Sequence, residues 1–132
     1  MEPTLYILAR SDIPDLNPGK CAAQSAHAQA DFNQYIKTRV KDDYRLDIAY
    51  AEWTQDRNFG RTLVLEVNLS ELQLVTELLN HSGQTTDPTY PFRNFYGELK
   101  TSNIVTCGWA FVYEESDNQL SLDVLTKLPL YR

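Results

Sequence analysis

The order of strand-like and helix-like segments predicts an α/β fold: one domain, residues 1–132, with a mixed sheet of roughly four strands and helices packed on both faces. Three observations carry this expectation. Apolar runs rich in β-forming residues at 4–9, 61–67 and 104–113 read as buried strands. Segments with helical spacing and capping residues lie between and after them, so strands and helices alternate. The length of 132 residues suits one core, and no linker, repeat or low-complexity tract divides it.

Taken in order, TLYILA at 4–9 is a short apolar run closed by Arg10-Ser11-Asp12. A loop containing Pro14 follows. Asn17 is then a suitable N-cap and Pro18 a suitable first helical residue, before a stretch of high helix propensity, CAAQSAHAQADFNQYI. Ala22, Ala26 and Ala30 recur every four residues, a small-residue stripe expected to let this helix lie close against the sheet. Residues 41–56 have weak helical periodicity and fit either a second helix or an irregular connection. Asn58-Phe59-Gly60 punctuates, and RTLVLEV at 61–67 is a strand. Ser70 with Gln73 resembles a capping box, with apolar Leu72, Val75, Leu78 and Leu79 behind it and Gly83 placed to end the helix. By composition 84–91 is loop, 92–97 an edge strand, and IVTCGWAFVY at 104–113 a central strand covered on both faces. An amphipathic segment over 119–128 precedes Pro129.

Charge and special residues narrow the function classes. Twelve basic residues against eighteen acidic ones give a net charge of −6, which argues against extensive contact with a nucleic-acid backbone but leaves room for a local basic pocket. No run approaches the roughly 20 apolar residues of a membrane span, and the N-terminus lacks a signal-peptide pattern, so a cytoplasmic location without membrane contact is expected. Cys21, Cys107, His27 and His81 have no metal-ligand spacing; no metal or cofactor is expected, and both cysteines read as reduced core residues.

The residues that draw attention lie on the first helix. Lys20, Gln24, His27 and Asp31 are spaced 4, 3 and 4, along one side of the helix. A cation in the first helical turn opposes the helix dipole, yet an ammonium beside free backbone N–H groups makes an anion site. An ordinary solvated polar face would have the same spacing. A phosphate-binding Walker loop does not fit, because Pro14 stands at its first glycine and Cys21 at its hydroxyl residue. The G-x-S-x-G elbow of serine hydrolases is absent.

The string Pro18-Gly19-Lys20-Cys21-Ala22-Ala23-Gln24-Ser25-Ala26-His27-Ala28 resembles the G-K-x-A-A-Q-x-x-H-A signature of type 2 peptidyl-tRNA hydrolases. Trp53, the Gly60-Arg61-Thr62-Leu63-Val64-Leu65 strand, the Ser70 helix and the 104–113 strand follow in that family's order, although only the first motif is specific. The resemblance implies metal-independent hydrolysis of the ester between a peptide and the tRNA ribose. It implies catalytic work for Lys20, in stabilising an anion or contacting phosphate. For His27 it implies proton transfer or a hydrogen bond tying the helix to a strand. Gly19, Gln24 and Arg93 would help to bind the substrate.

Departures from the pattern qualify this. The family carries an acidic residue in a D-A-G-x-T-Q segment; the corresponding region here is Phe92-Arg93-Asn94-Phe95-Tyr96-Gly97-Glu98-Leu99, which puts Asn94 where the aspartate would be. An amide is no carboxylate base. Glu98, after a shift in register, is the other source of a carboxylate. Glu66 also stands where a lysine is common. Two functions follow: a divergent peptidyl-tRNA or related ester hydrolase, or an inactive form of the fold that binds a protein or ligand, including a second copy of itself as a homodimer. The aromatics Tyr90, Phe92, Phe95 and Tyr96 suit such an interface or a core-facing strand.

Overall fold

The computed structural model describes residues 2–55 and 60–131. Its elements run β1 (Thr4–Arg10), α1 (Pro18–Arg39), α2 (Tyr44–Gln55), β2 (Arg61–Val67), α3 (Leu69–Leu78), β3 (Ser82–Arg93), β4 (Leu99–Val112) and α4 (Gln119–Thr126). The four strands form one mixed sheet in the order β2-β1-β4-β3. β1 pairs parallel with β2, so the α1–α2 pair is the crossover that a parallel connection requires. β4 runs antiparallel to both neighbours.

Strand alternation divides the core into two layers. Leu5, Ile7, Ala9, Cys107, Trp109 and Phe111 meet Ala28, Phe32 and Ile36 of α1 and Leu46, Ala49 and Trp53 of α2. Leu8, Leu65, Val67, Ala110 and Val112 meet Leu72, Val75 and Leu79 of the α3 region and Leu122 and Leu125 of α4. Helices therefore cover both faces, as expected. Among the described residues no helix is long and apolar enough to cross a membrane.

Several local expectations change. Ala22, Ala26 and Ala30 face solvent; the buried line of α1 is Gln24, Ala28, Phe32 and Ile36. It has the same four-residue spacing, turned so that the aromatic Phe32 can fill the space against Trp53, Trp109 and Phe111, with ring centroids at 5.6, 5.2 and 5.1 Å. Of the two readings open for 41–56, the helix is the one formed, over Tyr44–Gln55. The capping box belongs to Asn68 and Glu71, not Ser70 and Gln73, so α3 starts earlier. It stops at Leu78, and Gly83 lies inside β3. Leu78 stays largely exposed.

The largest difference is β3. The segment 84–91, which has loop composition, is edge strand, and 94–98 is its turn into β4. An edge position accommodates Pro88 and Pro91, whose missing N–H groups cost no interior ladder bond. Two irregularities break the β3–β4 register: Thr106 has no partner between the Thr85–Cys107 and Thr86–Val105 pairs, and 88–89 bulge between the Asp87–Ile104 and Tyr90–Ser102 pairs.

Asn58 and Phe59 of the expected punctuation lie outside the described residues. Gly60 has φ +74°, and a Cβ there would come within 2.3 Å of both the backbone oxygen and a ring carbon of Trp53. The same indole donates to Arg61 O at 2.9 Å, which explains why tryptophan and glycine accompany β2. A second polar interlock holds the far end of the sheet. His81 stands between Tyr35 Oη (2.7 Å, at Nδ1) and Tyr113 Oη (3.0 Å, at Nε2), with Asp43 at 3.7 Å.

Candidate functional site

α1 begins where β1 ends, across a loop that carries Asp12, Asp15 and the cap Asn17. The Asn17 side chain accepts from Lys20 N at 2.9 Å and its carbonyl from Cys21 N. Pro18 has no N–H, so only Gly19 of the first turn keeps an amide for another partner. The helix opening is poorer in free amides than the sequence suggests.

The Lys20 side chain is three-quarters or more sheltered and does not extend into bulk water. Its ammonium reaches Pro91 O at 2.7 Å, Asp15 O at 3.0 Å and Asp15 Oδ2 at 3.3 Å, and lies 5.2 Å from the Tyr90 ring centroid. All three of its N–H bonds thus have acceptors within the chain. Asp15, at φ 54°, is in the left-handed region, a conformation in which its carboxylate also accepts from Arg93 N. Tyr90 Oη donates to Pro14 O, and burial raises its phenol pKa above the ordinary value, so the proton stays on.

One turn on, Gln24 is 6% exposed although it belongs to the polar series. Its amide is fully specified by its neighbours. The Asp87 carboxylate, which only accepts, takes the Nε2 donor at 3.0 Å, so Oε1 must face Thr106, whose hydroxyl donates at 2.6 Å. The same Oε1 lies 3.3 Å from His27 Nδ1. Because Oε1 has no proton to give, Nδ1–H is the donor, which in the neutral ring leaves the lone pair on Nε2. His27 itself is exposed.

The two β3–β4 irregularities build this cluster. An unpaired residue in a bulge shares the face of its neighbour, and Thr106 accordingly joins Cys107 on the α1 side. The 88–89 bulge lets Asp87 close onto its own chain, with Thr89 N donating to Oδ1 at 2.9 Å. That backbone bond, and after it the Gln24 and Thr89 side chains, hold the Asp87 carboxyl below its usual pKa against the opposing effect of partial burial. Asp87 is an anion at neutral pH.

The structure thus brings Lys20, Gln24 and His27 together on one flank of α1, with Gly19 beside them. The other predicted residues belong to the hairpin tip. Asn94 Oδ1 accepts from Tyr96 N and Glu98 N at 2.9 and 3.0 Å, which makes it a turn former rather than a group facing Lys20. Glu98 is paired loosely with Lys100 at 3.6 Å. Arg93 Nη1 donates to Gly97 O. Asp31, itself exposed, accepts from the buried Trp109 Nε1 at 2.7 Å and so is tied to that indole rather than to His27.

Asp87, Asp15, Tyr90 and Thr106 are the site residues that sequence reasoning missed. Thr106 left a signal, as the one hydroxyl in the middle of an apolar strand that needs a buried partner.

Four cavities formed by described residues lie elsewhere, and none has Lys20, His27 or Asp87 in its lining. One, of about 550 Å³, is on the opposite flank of α1, between Leu16, Pro18, Cys21, Val64 and Tyr131. The polar cluster, unlike these hollows, has chemically matched and mutually oriented groups. Burial pushes the Cys107 thiol up to about 12, which leaves it an inert core residue.

No protein-family model matches the chain, and no curated protein shows significant sequence similarity to it.

Proposed function

We propose that this chain is an ester hydrolase of the type 2 peptidyl-tRNA hydrolase kind, acting in the cytoplasm on the bond between a peptide and the tRNA ribose. One observation carries the reading. Gln24, buried where a polar helix face would be solvated, ties Asp87, Thr106 and His27 into a single oriented network one turn from Lys20. A solvated face has no need of such a link.

In this reading Asp87 supplies the carboxylate that the family resemblance calls for, in place of Asn94. Asp87 and Gln24 orient the imidazole, and His27 Nε2 takes a proton from water as the water oxygen bonds to the ester carbonyl carbon. The negative charge that develops on the carbonyl oxygen is met by Lys20, once the incoming oxygen displaces Asp15 Oδ2, the longest of the three contacts. When the ester C–O bond breaks, the proton on His27 passes to the departing ribose oxygen. The peptide leaves with a free carboxylate.

The test is release of peptide from peptidyl-tRNA by the purified protein, with Lys20→Ala abolishing it. Absence of turnover above buffer across a range of salt concentrations would remove the proposal. A binding module without chemistry is the second reading. What favours it is that every Lys20 N–H is already engaged, and retained tRNA or ligand binding without cleavage would mark it.

A further inference from the structure

The β3–β4 hairpin continues past the sheet. β1 pairs with β4 only over 107–112, whereas β3 follows β4 out to the Arg93–Leu99 pair. The projecting arm ends in Asn94-Phe95-Tyr96-Gly97, and its turn is complete without the two aromatic side chains. Asn94 N donates to Glu98 O, Gly97 N to Asn94 O, and Asn94 Oδ1 accepts two further amides. Gly97 takes the left-handed conformation that such a turn needs, at φ +77°.

Turn positions normally hold small polar residues. Here Phe95 is 96% and Tyr96 82% exposed, edge to face with centroids 5.6 Å apart. They neither stabilise the turn nor bury anything within the chain. We infer that the arm tip is a stacking platform for unpaired bases at the single-stranded 3′ end of an RNA substrate, the end that bears the ester. This rests on the hydrolase reading and extends its site outward, for the arm is continuous with it: Lys20 holds Pro91 O and Asp15 holds Arg93 N.

Charge and area select this occupant. A chain of net charge −6 is a poor grip for a phosphate backbone, but base–aromatic stacking needs few ion pairs. The arm itself carries none of that net negative charge. Beyond the pairing with β1 its charged residues are Asp87, Arg93, Glu98 and Lys100, a balance of zero, with both cations toward the tip. Two aromatic side chains offer roughly 300–500 Å², enough for two bases and well short of the roughly 800 Å² per partner that a stable protein interface covers.

The test is fluorescence anisotropy of a labelled single-stranded RNA hexamer against the full chain, Phe95→Ala/Tyr96→Ala and Phe95→Trp/Tyr96→Trp, with peptidyl-tRNA cleavage measured on the same preparations. The alanine pair should weaken RNA binding about thirtyfold or more, the loss of two stacked bases, while the tryptophan pair stays close to the parent. Neutralising Arg93 and Lys100 sites predicts a log–log salt slope of about −1.4. Wild-type protein that does not bind the hexamer, an alanine pair that binds as tightly, or a slope steeper than about −4 overturns the platform. A dimer of the parent that the alanine pair dissolves assigns the tip to self-association, and also overturns it. Cleavage with unchanged KM in the alanine pair sinks the platform alone; hexamer binding without cleavage sinks the hydrolase reading alone.

Discussion

Gln24 and Thr106 form a buried pair whose energetics can be worked from their contacts. Gln24→Met keeps the volume and deletes the amide. Thr106 Oγ1, on a residue only 1% exposed, then loses the acceptor 2.6 Å away. An unsatisfied buried hydroxyl costs about 1–3 kcal/mol, whereas the net value of the intact bond is only about 1 kcal/mol. Thr106→Val alone removes the donor and leaves Gln24 Oε1 to His27, so it should cost less, about 1 kcal/mol. In the double variant no buried hydroxyl is stranded, and Asp87 and His27 lose Gln24 as they do in Gln24→Met alone. The destabilisation of the double variant should fall short of the sum by about 1 kcal/mol, within the range for residues in contact. Urea unfolding of the four proteins gives the cycle directly, provided their m-values agree. A coupling below about 0.3 kcal/mol would refute the claim that Gln24 is held by a specific network, and with it the orientation assigned to His27.

Two further outcomes are expected. Burial lowers the His81 pKa below its ordinary 6.5, outweighing Asp43 and Asp117, which act in the opposite sense. The unfolded chain therefore takes up a proton below about pH 6.5 while the fold resists it, so stability is full above that pH and declines as pH falls through the window beneath it; urea midpoints at pH 7.5 and 5.5 should differ, and His81→Gln should narrow the difference. Gly60→Ala would combine a left-handed backbone with a Cβ 2.3 Å from the Trp53 carbonyl oxygen, and a loss of about 2 kcal/mol or more is expected in thermal unfolding; a loss under about 0.5 kcal/mol would show that the Trp53–Gly60 contact yields easily.

Elements with strong internal signals were legible in the sequence. β1, β2 and the inner part of β4 are apolar runs, and α1 carries its own cap and proline, so local chemistry and tertiary position agree. β3 was not legible, because its Pro88, Pro91, Gly83 and Asp87 all have turn preferences and only pairing with β4 makes the segment a strand. That difference bears on the candidate site. Loop composition over 84–91 gives no side-chain direction to Asp87, whereas pairing with β4 turns it onto Gln24; Asn94 and Glu98 stand out in the sequence only by their place near Gly97. The face of α1 was hidden for a different reason. Alanine and the Gln24–Phe32–Ile36 series share a period of four, and periodicity gives the spacing of a stripe without saying which stripe has the larger side chains to bury. The bulge at Thr106 depends on the partner strand and leaves no mark in its own sequence beyond an isolated hydroxyl.

The two rims of the sheet are closed by different means. Along β2, Leu130 bridges to Leu65, Glu66 N donates to Pro129 O and Tyr131 N to Val64 O, so the final residues act as a strap over the outermost strand. Along β3, two prolines and two kinks spoil the row of donors and acceptors that an incoming strand would need. An incoming strand therefore meets a strap over 64–66 of β2 and a broken ladder along β3, which leaves the outer part of β4, beyond its pairing with β1 at 107–112, as the stretch of edge the projecting hairpin keeps open.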